Sequence, residues 1–104
     1  MAGSGENVVP VTLQQLRGHR SEIVAAAARH GARRVRIFGS VARDEAGPSS
    51  DVDILVAFDL GRSLLDQVHL ATDLEELLGV RVDVVAEGGL LPRDGHIVDE
   101  AVPI

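Results

Sequence analysis

The 104-residue chain contains no cysteine, which excludes disulfides, thiolate zinc sites and cysteine nucleophiles. It contains no lysine; all ten basic residues are arginine. A Schiff-base lysine or a P-loop lysine is therefore excluded as well. Tryptophan and tyrosine are absent and aromatics make up 2%, so the core has to come from Val, Leu, Ile and Ala. No apolar run approaches the ~20 residues that span a bilayer. The N-terminus lacks the basic and apolar regions of a secretory signal. A cytoplasmic protein without membrane contact is expected. The formal net charge of −6 argues against a basic footprint for nucleic acid. The four histidines, His19, His30, His69 and His96, show no close ligand spacing.

The length fits one domain. Residues 1–11 open on Met-Ala-Gly-Ser-Gly and read as a flexible tail, and residues 12–104 as the domain. Thr12 and Gln15 form a capping-box pattern, and apolar residues recur at helical spacing as far as Gly31. A helix over about 13–30 is expected. Val35 and Ile37 alternate with Arg36, which predicts a short strand over about 33–38. Val41 to Asp44 reads as the start of a helix. Gly47-Pro48-Ser49-Ser50 is a loop by composition. Residues 52–58 are apolar and β-branched enough for a buried strand. Gly61 and Ser63 precede a helix whose stripe is Leu64, Leu65, Val68, Ala71, Leu74, Leu77 and Leu78. The stripe is either plain core packing or wider than one small sheet can cover. Gly79 ends that helix, Val80 to Val85 reads as a third strand, and a last helix is expected over about 94–101. The order predicts an α/β (α+β) fold, with helices packed on one small sheet.

The chemistry concentrates in two stretches. Asp51 and Asp53 stand at positions i and i+2 of a strand, and therefore on one face. Two like charges side by side need protonation or a cation, and oxygen ligands of this kind suit Mg²⁺ or Mn²⁺. Asp83 lies between Val82 and Val84. If its strand neighbours the second, it faces the same point and completes a two-metal site; otherwise it is a strand-edge carboxylate facing solvent. Gly39 lets backbone approach a ligand. The Gly39 and Ser40 N–H groups and the Ser40 hydroxyl are candidate phosphate donors. Arg43 either joins them or forms a surface salt bridge with Glu45 or Asp44. An Asp-x-Asp after Ser49-Ser50 reads, alone, as a turn that begins a strand. Gly-Ser followed at this spacing by Asp-x-Asp should arise by chance in roughly one such chain in a thousand.

Gly39, Ser40, Val41, Ala42, Arg43, Asp44 and Glu45, then Ser50, Asp51, Val52 and Asp53, resemble the DNA polymerase β-like nucleotidyltransferase superfamily. The resemblance is specifically to its minimal nucleotidyltransferase (MNT) branch. That branch carries Gly-Ser-x-Ala-Arg-Gly-Glu, a short loop, and Ser-Asp-x-Asp. Residues 77–85 look like its third-carboxylate segment. One position departs from the pattern: Asp44 stands where glycine is usual, which puts the local turn in question.

The resemblance implies the nucleotidyltransferase fold and transfer of a nucleoside monophosphate from a triphosphate, ATP being expected. Asp51, Asp53 and Asp83 would be the catalytic carboxylates and would hold two Mg²⁺ ions, with Mn²⁺ as a substitute. Gly39, Ser40, Arg43 and Ser50 would bind the nucleotide. Larger relatives carry helical domains for the acceptor, so the acceptor site is expected to be shared with another chain. MNT proteins often accompany a HEPN ribonuclease toxin, and the resemblance implies AMP transfer to a tyrosine of such a partner by its antitoxin. An antitoxin that acts by contact alone, and the catalytic subunit of a small-molecule nucleotidyltransferase, are the alternatives.

Overall fold

The computed structural model describes residues 11–104. The expected tail lies outside the described residues except for Val11, which packs against the core. Helix α1 (Leu13–Gly18) starts as expected: the Thr12 side chain accepts from the Gln15 N–H, and the Gln15 side chain accepts from the Thr12 N–H. The single helix expected over 13–30 is in fact two. His19 leaves the helical region at φ −106°, ψ 18°, directly after the poor helix former Gly18, and α2 runs Arg20–Arg29. Ile23, Ala26 and Ala27, spaced i, i+3, i+4, form its buried face.

Four strands make one mixed sheet in the order β3-β2-β1-β4. Strand β1 (Ala32–Phe38) is antiparallel to β2 (Val52–Phe58), and β3 (Val82–Ala86) is parallel to β2. Strand β1 contains a bulge between Arg33 and Arg36, with Arg34 at φ 56°. Val52, Ile54 and Val56 point into the helix-covered core, and Leu55 on the opposite face is also buried. The central strand is thus apolar on both faces except at Asp53. Each fully buried Leu or Ile contributes about 1.5–3 kcal/mol relative to exposure.

A one-turn helix, α3, covers Gly39–Ala42. Helix α4 (Leu64–Leu78) is fixed at both ends. Ser63 and Asp66 form a capping box, and Gly79 closes it in the left-handed region at φ 71°. Its buried residues are Leu70 and Leu74. Leu64, Leu65 and Val68 of the expected stripe are exposed, while Ala71, Leu74, Leu77 and Leu78 pack in or against the core, so the stripe is wider than the sheet covers at its N-terminal end and plain core packing beyond it. Apolar spacing defines a face; it does not say how far along the helix the sheet reaches.

The last helix, α5, covers Gly95–Glu100 and follows a 3₁₀ turn at Pro92–Asp94. It leads into β4 (Val102–Pro103), an added edge strand on β1 with Ile37 opposite Val102. Two residues, one a proline, carry no strand periodicity, so β4 was not expected; proline is tolerated there because the strand lies at the edge. The architecture is the expected α/β arrangement of a small mixed sheet with packed helices. Among the described residues no helix is long and apolar enough to cross a membrane.

Candidate active site

Pairing between strands sets the site. Asp53 in β2 stands opposite Phe38, the last residue of β1, and opposite Asp83 in β3. The third strand does neighbour the second, and it does so in register. Asp53 and Asp83 therefore share one face of the sheet, and Asp51, just before β2, is close enough for its charge to act on Asp53. Asp83 is also solvent-exposed on an edge strand, so both features foreseen for it occur together.

The carboxylates repel one another. Burial pushes the half-buried Asp53 carboxyl above the usual range, and the charges of Asp83 and then Asp51 push it further; Arg43 opposes them. Arg81 Nε lies 3.9 Å from Asp51 Oδ1, with Arg81 largely and Asp51 partly exposed, so this pair offsets little.

Gly39 follows Phe38 and lies beside Asp53. Its φ is 75°, and a Cβ there would collide with the Asp53 carboxylate. Only glycine meets both demands. Ser40 is the next residue of α3, and its carbonyl accepts from the Glu45 N–H at 2.8 Å. Asp44 has φ 60°. This is the left-handed region that favours glycine, entered here by a residue that adopts it more readily than most.

Arg43 joins a network. Its Nε donates to Glu45 Oε1 at 2.9 Å, and Nη1 donates to both Glu100 oxygens at 3.1 Å. The Glu45 salt bridge was one of the two readings; Glu100 was not foreseen. The Gly39 N–H donates to Glu100 Oε1 at 2.8 Å. That N–H, and then Arg43, holds the Glu100 carboxyl below its usual range. Glu100 sits 61 positions after Gly39, and no local pattern links them. Ser50 holds its own loop: its hydroxyl accepts from the Gly47 N–H at 2.8 Å. Ser50 is thus placed next to Asp51 with its oxygen engaged in the turn.

A divalent cation fits this donor set in chemistry. Two hard carboxylates share a face and Asp51 adjoins them, and Asp53 is burdened by its neighbours' charge, which a cation would relieve. Among the described residues, no three acidic or histidine side chains close around one point; the carboxylates are aligned but not gathered into a cage.

A family model described as "Nucleotidyltransferase domain" matches residues 20–101. The chain belongs to this nucleotidyltransferase domain family. The matched span runs from α2 to the end of α5 and includes every candidate residue. The domain is 44% identical over 86 residues to a Methanocaldococcus jannaschii protein provisionally named a protein adenylyltransferase, covering 82% of this chain and 92% of that one. It is 45% identical over 75 residues to the protein adenylyltransferase MntA of Thermococcus cleftensis, covering 72% and 73%. A solved structure, provisionally described as a minimal nucleotidyltransferase, superposes with a TM-score of 0.80 at 54% identity, over 90% of this chain and 97% of that chain. A crystal structure of a toxin-antitoxin with AMP-PNP superposes with a TM-score of 0.70 at 20% identity, over 80% and 69%, and shares the fold. The nucleotidyltransferase fold expected from the motif is thus the fold of this domain.

Proposed function

We propose that residues 12–104 act as one nucleotidyltransferase domain. It transfers AMP from ATP to a tyrosine hydroxyl of a HEPN ribonuclease toxin and acts as that toxin's antitoxin. The observation that carries the reading is the pairing of Asp53 with Asp83 beside Gly39. It sets a pair of carboxylates beside a close-approach glycine, an arrangement suited to nucleotidyl transfer to a hydroxyl. The names of the relatives support protein adenylylation. The toxin-antitoxin structure with AMP-PNP supports a partner protein and a nucleotide site on this fold.

In this reading Gly39 and Ser40 donate to the phosphates, with Arg43 and Ser50 at the rim. Asp51 and Asp53 would hold two Mg²⁺ ions, or Mn²⁺, and Asp83 would share one. Bound divalent ions would neutralise the triphosphate and ease deprotonation of the acceptor hydroxyl. Asp83 takes the acceptor proton, and the acceptor oxygen forms a bond to the α-phosphorus. The bond from the α-phosphorus to its bridging oxygen breaks, and pyrophosphate leaves. Asp53 keeps the row aligned through its two strand neighbours.

The test is intact-mass measurement of the partner after incubation with ATP and Mg²⁺. A gain of one or more AMP units is expected, with none for the Asp51→Asn, Asp53→Asn double variant. Full toxin neutralisation by that variant at normal expression would sink the enzymatic reading.

A further inference from the structure

The stripe on α4 leaves apolar surface that the fold does not use. Leu64, Leu65 and Val68 are 72%, 64% and 51% exposed, and Val68 neighbours Leu65 at i, i+3 and Leu64 at i, i+4 spacing. Isolated exposed apolar residues are ordinary, but three on adjoining helical positions make a patch. Leu64 and Val68 line a hollow of about 350 Å³ between α4 and β3, and Asp83 lines the same hollow. Volume does not distinguish it, since the other described hollows span 270–380 Å³. Its lining does. One other hollow reaches a candidate carboxylate, Asp51, and it is bordered by the polar loop at Pro48–Ser50.

The β3 edge facing this hollow is not open for strand addition. Glu75 Oε2 accepts from the Val82 N–H at 3.1 Å, and Gln67 Nε2 donates to the Val84 carbonyl at 2.7 Å. Two side chains of α4 thus occupy backbone groups that an added strand would need. Side-chain docking is left as the mode of use. The charged residues lining the hollow, Glu75 and Asp83, are both acidic.

The geometry points to this hollow as the docking groove for the protein acceptor: it takes an apolar side chain of a basic segment that delivers its hydroxyl to Asp83. The inference rests on the AMP-transfer reading for the role of Asp83. Charge complementarity selects the occupant. An acidic rim on a chain of net charge −6 disfavours a second copy and favours a segment with arginine or lysine beside its apolar anchor. An apolar anchor inside a polar rim is the usual composition of a binding hot spot.

The test uses the ¹⁵N-labelled full chain without nucleotide and two capped peptides. Each peptide carries a tyrosine between two leucines, one flanked by arginines and the other by glutamates. Saturable amide shifts at Leu64, Val68, Ala71 and residues 82–84 are expected with the arginine peptide. A Leu64→Glu, Val68→Glu double variant should weaken this binding at least tenfold with an unchanged melting temperature, because both positions are exposed. Shifts that map elsewhere, equal binding of the glutamate peptide, no saturable shift at millimolar peptide, or self-association that protects Leu64 and Val68 would each overturn the proposal. ATP and Mg²⁺ are then added and peptide mass is read. Transfer that is indifferent to the double variant overturns the groove and leaves the AMP-transfer reading standing. Saturable binding at the groove without transfer supports the groove and counts against that reading.

Discussion

The Gly39 backbone N–H donates to the Glu100 carboxylate at 2.8 Å. This is one of the groups assigned to a phosphate in the proposed function. The same carboxylate takes Arg43 Nη1. An internal anion thus engages two of the proposed phosphate donors, and a nucleotide has to displace it. Glu100→Gln keeps an oxygen for Gly39 and removes the charge that holds Arg43. An exposed ion pair of this kind contributes little. We therefore expect AMP-PNP with Mn²⁺ to bind more tightly to the variant, by up to about fivefold. Isothermal titration calorimetry reads this directly. Weaker or unchanged binding would make Glu100 a brace for the loop and nothing more.

Asp53 gives a prediction with a defined sign. Its folded-state carboxyl sits above the usual range, chiefly through burial and then through Asp83 and Asp51. A carboxyl raised on folding favours the folded state while protonated, and that contribution is lost as pH rises through its raised value. Ionised Asp53 therefore lowers the stability of the metal-free protein at neutral pH. Asp53→Asn should abolish transfer and yet raise stability by roughly 0.5–1 kcal/mol, the scale of like charges facing each other across strands. That is about 2–8 °C in melting temperature for a domain of this size. Added Mn²⁺ should raise the melting temperature of the wild type and not of the variant. A variant less stable than wild type without metal would contradict the repulsion argued for the row.

What the sequence disclosed divides along a physical line. Strand β2, its Asp53 and the Asp51 just before it were readable because the signal is local: alternation, β-branched residues and an i, i+2 pair. The Asp53–Asp83 pairing needed one inference, that a β-α-β unit places its strands side by side. Glu100 was not readable, since it meets Gly39 only after α5 returns to β1. The helix break at His19 and the bulge at Arg34 hinge on single dihedral choices that apolar periodicity averages over. The stripe on α4 left two readings open for a different reason. Leu64 and Val68 have the spacing of a packed face, but spacing does not say that they border an open hollow at the β3 edge.

Asp44 offers a test at a position where the chain departs from its family pattern. The residue adopts φ 60°, which costs a side-chain-bearing residue about 1–2 kcal/mol, less for Asp. Asp44→Gly should raise stability by about 0.5–1 kcal/mol, net of the greater freedom of glycine in the unfolded chain. Asp44→Val should lower it, because a β-branched residue resists this conformation. Paired thermal unfolding measurements decide, and a destabilising Asp44→Gly would show that the Asp44 side chain serves the turn in another way.

Gly39 and Gly61 form a natural control pair. Both have positive φ, 75° and 86°. At Gly61 a Cβ would enter open space, whereas at Gly39 it would strike the Asp53 carboxylate. Gly61→Ala should therefore cost only the backbone strain, about 1–2 kcal/mol, and leave transfer intact. Gly39→Ala should cost at least as much and also push Asp53 out of line with Asp83, so transfer should fall by two orders of magnitude or more. Melting temperatures and initial rates of both variants, measured in parallel, separate backbone strain from displacement of the carboxylate. Equal activity in the two variants would remove Gly39 from the site, because the close approach to Asp53 is what sets it apart from Gly61.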